Sequence, residues 1–246
     1  MKKLSDEQYV DFWRNIHSKT HDDLAAVCFP DKPLYFNRFF DRIQKYALTK
    51  YFVNERVSLA DKEVLDVGCG RGRWLSFFKE KHSAIATGVD ISRDAVQACV
   101  GRGLNACEGS ITDMPFEDDH FDFISSITVL LHLPYGLKEE AVAEVSRVLK
   151  PGGKVILIEN TWEDPSPHVY SLSVPGWVTL FKDYGMNLVH ISGHCFNLFR
   201  MKLPSRIPFR DFMAIYLDYP LEYSLMNYFY SKQSDIALQH LMVFEK

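Results

Sequence analysis

Between residues 63 and 160 short apolar runs alternate with helix-patterned stretches, and this alternation restricts the chain to one broad architecture. The runs are "EVLDV" (63–67), "AIATGVDI" (84–91), "LNACEG" (104–109), "FDFISSITV" (121–129) and "KVILIEN" (154–160). Between them, "RGRWLSFFKEK" (71–81) places Trp74, Leu75 and Phe78 at helical spacing. Ser92 is the N-cap of "RDAVQACVGRG", which ends in glycines. "LKEEAVAEVSRVLK" (137–150) puts Leu137, Ala141, Val145 and Val148 on one face, and "PGG" (151–153) is expected to stop that helix and turn the chain. Strands this apolar, separated by helices, imply a parallel sheet covered on both faces. The fold class is therefore α/β and doubly wound.

The flanks differ in character. Residues 1–60 hold two aromatic-rich helices, "DEQYVDFWRNIH" and "PLYFNRFFDRIQKYALTKYFVNER", and are expected to form a helical cap on a domain spanning 61–246. Residues 161–236 read as an irregular, proline-punctuated insertion on the substrate side. "GMNLVHISGHCF" (185–196) and "IALQHLMVFEK" (236–246) alternate as strands able to close the sheet as a hairpin pair.

The first strand runs into "VLDVGCGRGRW" (64–74), where Gly68, Gly70 and Gly72 follow an acid, Asp66. Glycines at these positions let the backbone press against a ligand where a Cβ would clash or forbid positive φ. The helix that follows offers free N–H groups and a partial positive charge to an anionic group. The spacing Gly-x-Gly-x-Gly is not the Gly-x-Gly-x-x-Gly of dinucleotide sites. Asp66 would also repel a pyrophosphate, whereas it suits a ligand carrying an amino group. Asp90, at the end of the second strand, is placed to accept hydrogen bonds from ribose hydroxyls. A ribonucleoside that carries positive charge and an amino acid is S-adenosylmethionine.

Five motifs in order, "VLDVGCGRG", "GVDIS", "EGSITDMPF", "FDFISSITVLLHL" and "RVLKPGGKVIL", span roughly residues 63–158. Together they resemble the class I S-adenosylmethionine-dependent methyltransferases, especially the branch with ubiquinone-biosynthesis and small-molecule enzymes. The resemblance implies a mostly parallel, seven-stranded, Rossmann-like sheet with helices on both faces, its last strand antiparallel and preceded by an insertion. It also implies that Asp66, Gly68, Cys69, Gly70 and Gly72 surround the methionine part of the cofactor and that Asp90 holds the ribose. Ile91 would flank the adenine, Ser110, Ile111 and Asp113 would lie at its edge, and Ser126, Ile127 and Thr128 would form the floor beneath the sulfonium. Many relatives have an acid where this chain has Ser110, so the adenine contact falls to Ser110, Asp113 or backbone.

Methyl transfer from a sulfonium is an in-line displacement in which positioning supplies much of the rate. A general base is needed when the acceptor is a weakly acidic hydroxyl or a protonated amine. His132 is the first candidate, followed by Glu159 and Asn160 at the end of the fifth strand and by His168 and His194 in substrate-side segments. Aromatic residues of the flanks, among them Trp13, Tyr35, Phe36, Trp162, Tyr170, Trp177 and Tyr184, are candidates for a pocket wall, whereas Phe39, Phe40 and Phe181 are expected in the core. Arg200, Lys202, Arg206 and Arg210 form a local basic run, read either as a solvated face or as a lid for an anionic acceptor. No Asn/Asp-Pro-Pro-aromatic motif follows the fourth strand and no metal-ligand cluster is visible, so amino-methylation of DNA bases and catechol-type metal chemistry are disfavoured.

Net charge is -4, which offers no global basic field for nucleic acid or anionic membrane. The five cysteines are odd in number and lack CxxC pairs, which indicates free thiols in a reducing compartment. No apolar signal segment or membrane span is visible, so the expectation is a cytoplasmic protein. The sequence thus predicts a methyltransferase acting on oxygen or nitrogen of a small polar or sugar-type acceptor. The alternatives are an RNA or protein methyltransferase and a non-catalytic cofactor-binding partner subunit.

Overall fold

A computed structural model of the chain describes residues 3–19, 34–196 and 219–246. Two helices come first, α1 (Asp6–Lys19) and α2 (Leu34–Asn54). The alternating core follows as β1 (Glu63–Val67), α3 (Arg73–His82), β2 (Ile85–Asp90), α4 (Arg93–Gly101), β3 (Asn105–Glu108) and β4 (Phe121–Ile127). A 3-10 turn at Leu130–His132 leads to α5 (Tyr135–Val148) and β5 (Leu149–Asn160). Then come α6 (Val174–Asp183), β6 (Asn187–His194), α7 (Tyr219–Tyr228) and β7 (Gln239–Glu245).

The seven strands form one sheet in the order β3-β2-β1-β4-β5-β7-β6. β1 to β5 pair in parallel, and β7 runs antiparallel between β5 and β6. The expected doubly wound sheet is present, with helices on both faces. Alternate side chains of the same strands enter two separate cores. Leu65, Val67, Leu157, Met242 and Phe244 pack with Val145 of α5 and with Trp177 and Phe181 of α6. Val64, Ile156, Ile158, Leu241 and Val243 pack with Leu48 and Phe52 of α2 and with Trp74 and Phe78 of α3. Burial on both faces is why these strands read as continuous apolar runs instead of alternating ones.

Three expectations need correction. "PGG" is not a stop between helix and strand, because α5 ends at Val148 and β5 already starts at Leu149. The Gly152 N–H and the Gly153 carbonyl there bond the Lys246 backbone, so the chain terminus supplies the partners that a loop would leave unmet. Residues 161–236 are not irregular throughout: α6 divides them, while β6 forms within 185–196 as expected and pairs antiparallel with β7. Trp177 is fully buried beneath α5, in the core and not on a pocket wall. The basic run at Arg200, Lys202, Arg206 and Arg210 lies outside the described residues, as do the side chains of Tyr35 and Phe36.

α1 is strapped down by its N-terminal approach. Leu4 N–H donates to Pro167 O (3.0 Å), Tyr170 Oη donates to Leu4 O (2.6 Å), and Lys3 Nζ reaches the carbonyls of Asp164 (3.1 Å), Ser166 (2.8 Å) and Val169. α1 and the 164–170 loop therefore cover the same end of the sheet, above the carboxyl ends of the strands. Among the described residues, no helix is long and apolar enough to cross a membrane.

Candidate active site

A cavity of about 810 Å³ opens at the carboxyl ends of β1, β2 and β4, roofed by α1 and the 164–170 loop. This is where the strand order of a doubly wound sheet reverses and ligands bind. The glycine loop forms one wall. Gly68 N–H and Cys69 N–H both donate to Val89 O (2.8 and 3.1 Å), and Gly70 N–H donates to Asp90 Oδ2 (2.8 Å). Asp90 Oδ1 accepts from Ser92 N–H (2.8 Å), so one carboxylate fixes both the loop and the start of α4. Gly68 has φ of 65°, and a Cβ there would meet the Val129 methyls at 2.6 Å. Gly72, the N-cap of α3 with φ of 83°, is bare for a different reason: a Cβ would strike Leu104 at 2.5 Å, inside the protein.

Most of the sequence candidates for cofactor contact border the cavity: Gly68, Cys69, Gly70, Asp90, Ile91, Ser110, Ile111 and Ile127. Asp66, Gly72, Asp113 and Ser126 do not. Asp113 is exposed, and Ser126 is fully buried within β4. Asp66 lies behind the loop, where Oδ1 accepts the Ser125 hydroxyl (2.7 Å) and Oδ2 has no partner among the described residues. Burial pushes its carboxyl up to about 7, with Ser125 and the Arg73 charge pulling the other way. An orphaned carboxylate oxygen beside a bare loop suits a cationic amino group, and the set as a whole fits the cofactor the sequence implies.

The base candidates separate sharply. His132 and His168 border the cavity; Glu159 and His194 do not. His194 is fully buried in β6, because the alternation of that strand turns its ring into the protein. Glu159 is also fully buried and accepts from the N–H groups of Val129 (3.1 Å) and Leu130 (2.9 Å), which makes it an anchor for the turn instead of a base. His132 Nδ1 lies 2.8 Å from His168 O. A carbonyl can only accept, so Nδ1 carries the proton and Nε2 the lone pair. Burial pushes the imidazole down to about 3, helped by the charges of His168 and Lys138 and opposed by the bond to His168 O. Trp13 packs on the His132 ring at 4.5 Å between centroids, and Phe12 stacks on His168 at 4.9 Å.

A polar corner escaped the sequence reading. Arg73 Nη1 donates to Gln44 Oε1 (3.0 Å) and to Asp41 Oδ1 (3.3 Å), and the guanidinium lies 4.7 Å from the Trp74 ring centroid. Gln44 Nε2 donates to Gln239 Oε1 (3.0 Å), whose own Nε2 donates to Asn160 Oδ1 (3.0 Å). Gln44, Arg73, Asn160 and Gln239 all border the cavity. One signal was available: an arginine in the first turn of a helix opposes the helix dipole, so a buried one needs another reason. The glutamines left no signal, since they meet across 195 positions of sequence. Among the described residues no cluster could hold a metal ion.

Comparison with known proteins agrees with this geometry. The Methyltransf_11 family, a methyltransferase domain, matches residues 65–157. Phthiotriol/phenolphthiotriol dimycocerosates methyltransferase 1 of Mycobacterium ulcerans (strain Agy99) is 35% identical over 105 residues, 41% of this chain and 38% of that protein. The fatty-acid O-methyltransferase of Mycolicibacterium smegmatis is 28% identical over 155 residues, 61% of this chain and 53% of that protein. This chain thus spans about half or less of the length of these relatives. The crystal structure of the [4+2]-cyclase SpnF superposes with a TM-score of 0.66 at 16% identity, over 100% of this chain and 97% of that one, a likeness of fold alone. Sheet order, glycine loop and family match agree in likening residues 65–157 to the Methyltransf_11 methyltransferase domain.

Proposed function

We propose that the chain is an S-adenosylmethionine-dependent methyltransferase whose acceptor is an apolar small molecule methylated at a hydroxyl or carboxyl oxygen. The observation that carries this reading is the single cavity of about 810 Å³ that joins two chemically different ends. At one end lie the bare loop of Gly68 to Gly70, Asp90, and the slot between Ile91 and Ser110–Ile111. At the other lie Phe12, Trp13, Ile16, Leu131, Val169 and His132. Small-molecule sites occupy roughly 300–1,000 Å³, so this volume suits a cofactor and a second molecule together. The names of the two relatives, which point to lipid acceptors, agree with an apolar far end better than with the polar or sugar-type acceptor expected from sequence.

When bound, S-adenosylmethionine supplies an electrophilic methyl group on its sulfonium sulfur. Asp90 would hold ribose hydroxyls, Ile91 would flank the adenine, and Ser110 and Ile111 would meet its edge. Gly68, Cys69 and Gly70 would receive the methionine part, with Asp66 behind them and Arg73 near its carboxylate. Trp13, Leu131 and Val169 exclude water from the acceptor side. Where the acceptor is a hydroxyl, His132 would take its proton at Nε2; a carboxyl acceptor arrives ionised and needs no base. A neutral imidazole held this low is a weak base, and it suffices because an acceptor oxygen becomes strongly acidic as its new bond forms. His168 acts through its backbone carbonyl, which fixes the His132 tautomer.

The test uses cofactor with a labelled methyl group, incubated with the protein and with oleic acid, oleyl alcohol and an extract of the source organism. Label in the organic-extractable fraction supports the proposal. Label in RNA or protein would favour a macromolecular acceptor, and cofactor binding with no transfer to any fraction would favour a non-catalytic partner subunit.

A further inference from the structure

Two buried ionisable side chains lie just outside the cavity and grip the turn that carries His132. Glu159, fully buried at the end of β5, accepts through Oε1 from the N–H of both Val129 and Leu130. Lys138, 2% exposed in α5, donates through Nζ to Leu130 O. Leu130 is therefore held by a carboxylate at its N–H and by an ammonium at its carbonyl. The Lys138 ammonium has no solvent to share; Trp177 lies 5.2 Å and Tyr135 5.8 Å from it, measured to the ring centroids.

The gripped turn is short and its course is costly. Thr128, just before it, is β-branched with φ of 57°, a left-handed conformation such residues rarely adopt. Thr128 N–H is tied to Ile158 O (2.8 Å), one residue before Glu159. His132 N–H closes the turn on Val129 O (2.9 Å), and Leu131 O accepts from Tyr170 N–H (2.7 Å). The His132 ring is thus two residues from the clamp and is fixed at its far side by His168 O. Both groups are buried and each bonds the turn's backbone, with no ion-pair contact between them among the described residues. Burying two ionisable groups in this way costs stability, so stability alone gives no reason for them, while orientation of His132 does.

We propose that Glu159 and Lys138 are positioning residues that clamp the 129–132 turn so that His132 keeps Nδ1–H on His168 O and Nε2 on the cavity. This assigns Glu159 to the reaction through His132 and not as a base of its own. Its importance for turnover rests on the proposed methyl transfer, but the geometric claim does not. Electrostatics add a second route between the same groups. Burial lowers Lys138 and raises Glu159 from their usual ranges, and the Lys138 charge helps to keep His132 neutral.

The test reads His132 directly, in protein labelled with ¹⁵N-histidine, by long-range nitrogen–proton correlation spectra. In the wild-type chain His132 should show one neutral, Nδ1-protonated form from pH 5 to 8. E159Q keeps an acceptor oxygen and should retain that form. E159L and the doubly apolar K138M/E159L should show mixed tautomers and an imidazole pKa raised by about two units towards its ordinary value. If E159L does not fold, the double variant, which leaves no unpaired buried charge, gives the answer. A folded K138M/E159L chain with His132 unchanged overturns the proposal. With oleyl alcohol as probe, the same variant should lose about a hundredfold in kcat at unchanged S-adenosylmethionine affinity. If the wild-type chain transfers no methyl group at all, the reading of the cavity fails while the His132 spectra still decide the clamp.

Discussion

Replacing Asp90 with alanine removes two hydrogen bonds at once, from Gly70 N–H to Oδ2 and from Ser92 N–H to Oδ1, each 2.8 Å long. A bond to a charged acceptor contributes about 1.5–3 kcal/mol, so the sum has a ceiling of about 6 kcal/mol. Two features reduce it. Gly70 borders the cavity, where water can replace the lost acceptor. Ser92 still caps α4 through Oγ, which accepts from Ala95 N–H (3.4 Å), so the helix start survives. The expected net loss is about 2–4 kcal/mol, which for a chain of this size lowers Tm by roughly 6–12 °C. Asp90→Asn keeps one acceptor oxygen but turns an amide N–H towards the other donor, and it should lose about half as much. Cofactor affinity should drop at least about tenfold in the alanine variant, or 1.4 kcal/mol, from loss of the ribose contact and of the loop geometry. Urea unfolding and titration calorimetry with S-adenosylmethionine give the two quantities separately. An alanine variant with wild-type midpoint and wild-type Kd would refute the reasoning. Lowered stability with unchanged Kd would show that the ribose is held elsewhere.

Other outcomes follow from the same geometry. Gly68→Ala combines a left-handed φ, costing about 1–2 kcal/mol, with overpacking against Val129, costing about 1–3 kcal/mol; a loss below about 1 kcal/mol in urea would mean that the loop yields. Trp13→Ala should raise the KM for oleic acid on the order of tenfold while leaving S-adenosylmethionine affinity within about twofold, and an unchanged KM would remove Trp13 from the acceptor wall. Asp66 is charged in the unfolded chain above about pH 4 but holds its proton in the fold up to about 7. Its favourable contribution is therefore complete below pH 4 and is lost as the pH rises through 7, so Asp66→Asn should gain stability over the wild type along that interval. The gain should be on the order of 4 kcal/mol at most and level off above pH 7. Urea midpoints of both proteins at pH 4, 5.5 and 7 test this, and a pH-independent difference would contradict it.

Which features were legible in sequence depended on how far each signal had to travel. The strands were visible because both faces of the sheet are covered, so Val64 and Leu65, or Ile156 and Leu157, enter different cores without interrupting the run. The loop and Asp90 were visible because their geometry is local and needs residues without side chains or with one carboxylate. The direction of a side chain on a fully buried strand was not legible. Glu159 and Asn160 are neighbours at the end of β5, yet one enters the protein and the other borders the cavity. An uninterrupted apolar run carries no alternation from which to tell them apart. His194 was missed for another reason: β6 alternates, but which of its faces is buried is set by its docking on β7 and not by its own sequence. The Arg73, Gln44 and Gln239 corner was invisible because each partner comes from a different part of the chain, and glutamines are common at surfaces.

The antiparallel placement of β7 has a consequence for synthesis and for truncated forms. Among the described residues β6 pairs only with β7, and β7 follows it in the chain after the whole of residues 195–238. Until residues 239–245 have emerged, β6 has nowhere to dock, and the open edge of β5 displays Val155, Ile156, Leu157 and Ile158. An uncharged, β-branched edge of this kind is a template for pairing with other chains. A chain stopped at residue 238 would not be a slightly shorter version of this protein. It would carry an adhesive edge along β5, and in the longer chain protection of that edge falls to β7.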